Sequence, residues 1–122
     1  MKKKTVILGA STNPSRYAYL AAEMLQRAGH EIVPVGIKKG NIFGTEILDL
    51  RVTPVIKDVD TITLYIGPRH QKEWYNYIIG LKPKRVIFNP GTENEDLERM
   101  VEESGAESLQ ACTLVMLRTS QY

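Results

Sequence analysis

The residues best placed to do chemistry stand together near the start of the chain: Gly9, Ala10, Ser11, Thr12 and Asn13, followed by Pro14 and Arg16. They follow an apolar run, Val6, Ile7 and Leu8, and precede a segment with helical spacing. A strand that stops at a glycine and turns into a helix gathers backbone N–H groups and a helix N-terminus around one point. That arrangement receives phosphate. Gly9 lets the chain turn sharply and approach a ligand with no Cβ in the way. Ser11 and Thr12 add hydroxyls, and Arg16 is within reach of a phosphate oxygen. Asn13 is the expected N-cap, with Pro14 near the first helical position. Only the first glycine of the G-x-G-x-x-G fingerprint is present, so a phosphate turn and a plain strand–helix turn both fit the motif alone.

Other candidates lie further along. Pro34 and Val35 end a short extended run, and Lys38 and Lys39 come directly after it. A domain that binds NAD carries an acid near this point to hold the ribose hydroxyls. Two ammonium groups suit an extra ribose phosphate better, which favours NADP or coenzyme A; the plainer alternative is two lysines solvating a loop. His70 follows another strand and stands either near a ligand or in an exposed loop, whereas His30 falls at the opposite end of the sheet and reads as structural. Cys112 sits in an apolar tail, where a lone cysteine packs more often than it reacts. Trp74 and Tyr75 have the spacing of a helix core and surface, with adenine stacking as the alternative.

These residues need elements to hold them. Residues 16–28 place Tyr17, Leu20, Ala21, Met24, Leu25 and Ala28 at helical spacing, closed by Gly29. Residues 31–35 read as a second strand, followed by a glycine-bearing loop to Gly44, with 46–48 weakly extended. Residues 61–66 are rich in β-branched types and read as the third strand, bounded by Asp60 and by Gly67 and Pro68. A helix over 71–81 is stopped by Lys82 and Pro83. Strand 85–88, a helix over 95–104 with acids in its first turn, and a weak strand 107–109 complete the series. The tail 112–117 is a short helix or turn packed on the sheet. Strands alternating with helices predict an α/β fold: a doubly wound parallel sheet of five strands in the order 3-2-1-4-5, forming one domain over 1–122. In such sheets the ligand sits outside the carboxyl ends of the strands, so the strand exits are the places to search.

Composition narrows the classes. The 122 residues carry a net charge of +2 and one cysteine. That leaves no disulfide framework, no plausible zinc site and no basic stripe suited to nucleic acid. No apolar run approaches the roughly 20 residues of a membrane span. Three lysines after Met1 precede too short an apolar run for a secretory signal. Lys2, Lys3 and Lys4 therefore read as a solvated terminus of a cytoplasmic protein.

The run Ile7, Leu8, Gly9, Ala10, Ser11, Thr12, Asn13 and Pro14 with Arg16, the run Ile32, Val33, Pro34 and Val35, then Gly44, Gly67 and Pro68, resemble the small stand-alone CoA-binding domain proteins. They also resemble the nucleotide-binding domain of the succinyl-CoA synthetase α subunit. The resemblance runs from the first strand to Cys112 and implies a Rossmann-like, three-layer α/β/α fold. It implies that Gly9, Ala10, Ser11, Thr12 and Asn13 hold the CoA pyrophosphate with help from Arg16, near Pro34. Lys38 or Lys39 would meet the 3′-phosphate. Ile66, Gly67 and Pro68 would line the adenine or pantetheine path, and the loop with Asn89, Gly91 and Thr92 would complete the cleft. The chain departs from the family pattern where Val35, Gly36 and Ile37 replace Val-Asn-Pro, where Gln110, Ala111 and Cys112 replace Asn-Arg-Cys, and where Asn89, Pro90 and Gly91 replace a Gln-Leu-Gly type exit.

The leading expectation is thus a binding module for coenzyme A or an acyl-CoA, with no catalytic residue and no metal. Two alternatives stay open. One is a small enzyme or enzyme remnant using a CoA- or NADP-type ligand, with Cys112 or His70 in its chemistry. The other is a ligand-free Rossmann-like scaffold acting through protein contacts. A protein partner or a homodimer is compatible with all three.

Overall fold

The apolar run at the start forms strand β1 (Thr5–Leu8), every residue of it buried. The structure, a computed structural model, describes residues 2–122; Met1, the first residue of the expected domain, lies outside them. In chain order β1 is followed by helix α1 (Tyr17–Arg27), β2 (Ile32–Gly36), a two-stranded hairpin of β3 (Asn41–Ile42) and β4 (Thr45–Glu46), and a short β5 (Leu48–Asp49). Then come β6 (Thr61–Leu64), α2 (Tyr75–Gly80), β7 (Arg85–Phe88), α3 (Glu95–Glu103), β8 (Glu107–Gln110) and α4 (Thr113–Arg118). Phe43 and Gly44 turn the hairpin with φ of 50° and 80°, the left-handed pair that a two-residue turn requires.

Every pairing in the main sheet is parallel, and its order is β5-β2-β1-β6-β7-β8. The α/β doubly wound class is as expected, while the strand count and order differ. The sheet has six strands. The 61–64 strand lies beside β1, not beyond the second strand, and the outer place is taken by β5, which pairs only at Val35 and Gly36. Pro34 fits inside β2 because its missing donor points away from β1. Glu31 and Val35 are the residues whose carbonyls accept from Thr5 and Gly9, so residue 34 faces the side that β5 reaches only further on.

Two apolar cores fill the faces of the sheet. On one, Ala18, Ala21, Ala22 and Leu25 of α1 pack with Ile7, Ile32 and Leu114 of α4. On the other, Ile78 of α2 and Leu97 and Val101 of α3 pack with Val6, Leu8, Ile62, Leu64, Val86 and Phe88. Alanines on α1 let it lie close to the strands. The expected 71–81 helix opens as a 3-10 turn at Lys72–Trp74, which follows another at Pro68–His70, and is α-helical only over Tyr75–Gly80. Trp74 and Tyr75 pack against the second core, in agreement with the packing reading of their spacing. With helices on both faces of a parallel sheet, this is a Rossmann-like fold. Its chain reverses direction across the sheet between β1 and β6, the point outside which ligands bind in this class.

The amino ends of the strands hold a second cluster. Lys3 is not a free solvated terminus: its N–H donates to His30 Nδ1 at 2.9 Å and its ammonium to the Tyr122 carbonyl. The Tyr122 hydroxyl bonds Thr5 Oγ1 at 2.6 Å, with the Arg85 guanidinium 4.4 Å from the ring centroid and the His30 ring at 4.9 Å.

Candidate functional site

The turn at the end of β1 is packed in place by its neighbours. The N–H groups of Gly9 and Ala10 both donate to the Val35 carbonyl, at 2.9 and 3.0 Å. Gly9 has φ +98°, and a Cβ on it would lie 3.1 Å from both Ile66 Cγ1 and the Tyr65 carbonyl. Gly36 has the same importance from the other side, since a Cβ there would meet the Ala10 carbonyl oxygen at 2.7 Å. A Cβ on Gly40 would come within 2.4 Å of Thr12 Cγ2. The loop carrying Lys38 and Lys39 is therefore pressed against the turn at both its ends. At Gly9 and Gly36 the atoms in the way are backbone, so only glycine permits those approaches.

Within the turn, Ser11 Oγ accepts from Asn13 N–H at 3.0 Å, and Asn13 Oδ1 accepts from both Ser15 N–H and Ser15 Oγ–H, at 3.0 and 2.8 Å. Asn13 is not the N-cap as expected: Arg16 takes that position, with extended φ and ψ of −86° and 143° and no side-chain cap. Asn13 instead shapes the turn before it, as short side chains do when they bond the backbone two residues on. Among the described residues, the N–H groups of Ser11, Thr12, Tyr17 and Ala18 have no acceptor. These four free donors and the positive end of α1 face the same strand exit.

The charges around the turn agree in sign. Arg16, Lys38 and Lys39 are exposed, and none forms an ion pair among the described residues. The nearby carboxylate, Asp49, is committed to Arg51 through contacts of 3.0 and 3.2 Å. Those hydrogen bonds hold its carboxyl below the usual range, with Lys39 adding a weaker pull.

The exits of β6 and β7 close the other side. Ile66 is half-buried against the Gly9 turn, and Gly67 and Pro68 open a 3-10 turn. Gln71, a fully buried residue that sequence reasoning missed, donates through Nε2 to the carbonyls of Ile66 and Thr92 at 2.7 and 2.9 Å. Its Oε1 accepts from Asn94 Nδ2 at 2.8 Å. The available signal was position: Gln71 stands three and four residues before Trp74 and Tyr75, on the apolar side of the helical spacing.

Several expected ligand contacts are placed differently. Pro34 lies buried in mid-strand, opposite Ile7. Asn89 is 2% exposed, and its amide is used within the protein. Nδ2 donates to Thr63 Oγ1 and the Leu64 carbonyl at 2.8 and 3.0 Å, and Oδ1 accepts from Thr113 N–H at 2.9 Å. Gly91 is exposed, with its N–H held by the Glu93 carboxylate at 2.9 Å. His70 is exposed on its turn, and Cys112 is half-buried before α4, packed against the core of α1 and Leu114. Among the described residues the Tyr65 hydroxyl is buried near the Thr63 and Thr113 hydroxyls without a hydrogen bond of good geometry, and burial pushes its pKa up to about 12. The two concavities described below contain none of the residues of the turn.

A Rossmann-like sheet with a phosphate-type turn at its switch point defines the class, and residues 3–118 match the model of the CoA binding domain family. The chain belongs to that family. A crystal structure of an uncharacterized protein is 57% identical, with a TM-score of 0.96, covering 100% of this chain and 99% of that one. A conserved hypothetical protein from Pyrococcus furiosus is 30% identical, with a TM-score of 0.79 over 93% of this chain and 97% of its own. A dinucleotide-forming acetyl-coenzyme A synthetase from Ca. Korarchaeum cryptofilum shares the fold at 18% identity and a TM-score of 0.70. It matches 88% of this chain but only 25% of its own. Among curated proteins no sequence matches significantly.

Proposed function

We propose that the chain is a binding module for coenzyme A or an acyl-CoA, seated at the β1 exit. The observation that carries this reading is the convergence of four unused backbone donors with three unpaired cations on one glycine-packed turn. A pyrophosphate takes the N–H groups of Ser11, Thr12, Tyr17 and Ala18, with Arg16 neutralising its charge. The 3′-phosphate of the ribose meets Lys38 or Lys39, and the pantetheine arm runs past Ile66, Gly67 and Pro68. Binding without catalysis is the reading for this module, with Cys112 half-buried against the α1–α4 core and His70 exposed on its turn.

Calorimetry with CoA, dephospho-CoA and NADP tests this directly. CoA should bind in a saturable way, and dephospho-CoA about tenfold more weakly, since a charge-assisted contact is worth about 1.5–3 kcal/mol. Equal affinity for the two removes the lysine assignment. Absence of saturation with all three ligands at millimolar concentration overturns the binding reading.

A further inference from the structure

At the opposite end of the sheet two concavities adjoin. One, of about 620 Å³, is lined by residues 56–60 ahead of β6 and by Gly80, Leu81, Lys82 and Lys84 ahead of β7. The other, of about 420 Å³, shares Ile56, Gly80 and Leu81 with it and extends over Asn76 and Tyr77 of α2. Val55, 87% exposed, is part of the rim of the second concavity, and Val52, 68% exposed, precedes it by three residues; they are the most exposed large apolar side chains among the described residues. An apolar knob thus projects from the rim of an apolar hollow floored by Ile56, Tyr77 and Leu81.

The main chain here is also unfinished. Among the described residues, no backbone N–H or C=O of 55–59 has a main-chain partner. Three non-glycine residues bordering the recess, Thr53, Asp58 and Lys82, hold φ of 44°, 58° and 52°. Such conformations cost energy and persist where the surroundings fix them. Part of that fixing comes from the Tyr77 hydroxyl, which donates to the Pro54 carbonyl at 2.6 Å. Charge discriminates between partners. Lys57, Lys82 and Lys84 stand against Asp58, Asp60 and Glu73 in the lining, so the patch is formally neutral with both signs interspersed.

We propose that this patch is a twofold contact with a second copy of the same chain, in which Val55 of each protomer enters the recess of its partner. A twofold interface joins one surface to itself. It therefore needs a knob beside a hollow and charges that cancel within the patch, and this surface has both. The carboxyl edge fails the same requirement, because its unpaired Arg16, Lys38 and Lys39 would face their own copies. The unpaired backbone before Asp58 adds donors and acceptors that the same segment of an antiparallel copy completes. The pairing is a concentration-dependent equilibrium at the amino ends of the strands, and it leaves both Gly9 turns open.

Sedimentation of the full chain from micromolar to millimolar concentration reads this out. The expected result is a monomer–dimer equilibrium whose dissociation constant rises about tenfold or more in Val55→Asp, with unchanged circular dichroism, because the side chain is exposed in the monomer. Val115→Asp, at the exposed valine of α4, should leave the equilibrium unchanged. Lys82→Glu should weaken it through net negative charge, with salt restoring part of the loss. A chain that stays monomeric at millimolar concentration leaves the patch to some other partner and overturns the proposal. So does a dimer that tolerates Val55→Asp, or one equally sensitive to Val115→Asp.

Discussion

Where β1 ends, the described residues leave N–H groups unbonded at Ser11, Thr12, Tyr17 and Ala18, and cations unpaired at Arg16, Lys38 and Lys39. Two strands away, where β7 ends, the same kinds of small polar residue are all consumed. Asn89 ties β6 to the start of α4, Thr92 bonds back to the Asn89 carbonyl, and Gln71 joins both exits. Buried polar groups must find partners, so the β7 exit spends its polarity on holding the sheet's edge in shape. The β1 exit is exposed and keeps its polarity available. A polar strand exit has groups to offer a ligand only where its donors are left over, and the exit two strands away uses its own to hold the sheet's shape.

The largest effect should come from Asn89→Ala. It strips the Thr113 N–H and the Leu64 carbonyl of their partner in a buried place, where an unsatisfied group costs about 1–3 kcal/mol. Urea unfolding should register a loss of about 3 kcal/mol, while CoA affinity of the folded fraction changes little. A large affinity loss without destabilisation would return Asn89 to the ligand and erase the contrast between the two exits. Next comes Gly36→Ala. Its new methyl group meets the Ala10 carbonyl at 2.7 Å, and overpacking of this kind costs typically about 1–3 kcal/mol. Here stability and CoA affinity should fall together, because the strain is relieved only by moving the turn. Arg16→Ala sharpens the comparison from the other side. As an exposed cation without a partner it should alter stability by less than about 0.5 kcal/mol, yet weaken CoA binding about tenfold, the lower end of a charge-assisted contact.

The β1 exit was legible because its signals are local: an apolar run, a glycine, small polar residues and helical spacing follow one another in the chain. Gly36 and Gly40 read in the sequence only as part of the second strand's exit, and their packing role does not show there, since what they make room for is Ala10 and Thr12 from a distant segment. Asn89 was read as a ligand contact because an asparagine at a strand exit looks the same whether it faces outward or inward. Burial against Thr63 and Thr113 decided it, across 26 and 24 residues of sequence. The strand order was missed for a related reason: β5 is two residues long, too short for any period, and the pattern of 61–64 does not say which strand it lies beside. The clustering of Lys3, His30, Arg85 and Tyr122 was equally invisible, as it joins four separate parts of the chain.

That cluster supplies the smallest effect, and it tests whether the two ends of the sheet act independently. Burial lowers the pKa of His30 from 6.5, helped by Lys3 and Arg85 and opposed by Asp60. Its Nδ1 accepts the Lys3 N–H, which a doubly protonated ring cannot do. The folded state therefore binds fewer protons than the unfolded chain near pH 6. The stabilisation is fully present above the unfolded value of 6.5 and is lost as pH falls through that value toward the lower folded one. Urea titrations between about pH 8 and 5 should show a stability loss on acidification that is smaller in His30→Gln, with the difference between the two proteins confined below 6.5. CoA affinity should follow the same pH course in both proteins, because the β1 exit lies across the sheet from His30. An affinity profile that shifts with His30→Gln would mean that the fastening of Tyr122 reaches the turn through α4 and α1. The contrast between a satisfied and an unsatisfied strand exit would then no longer be a purely local property of the carboxyl edge.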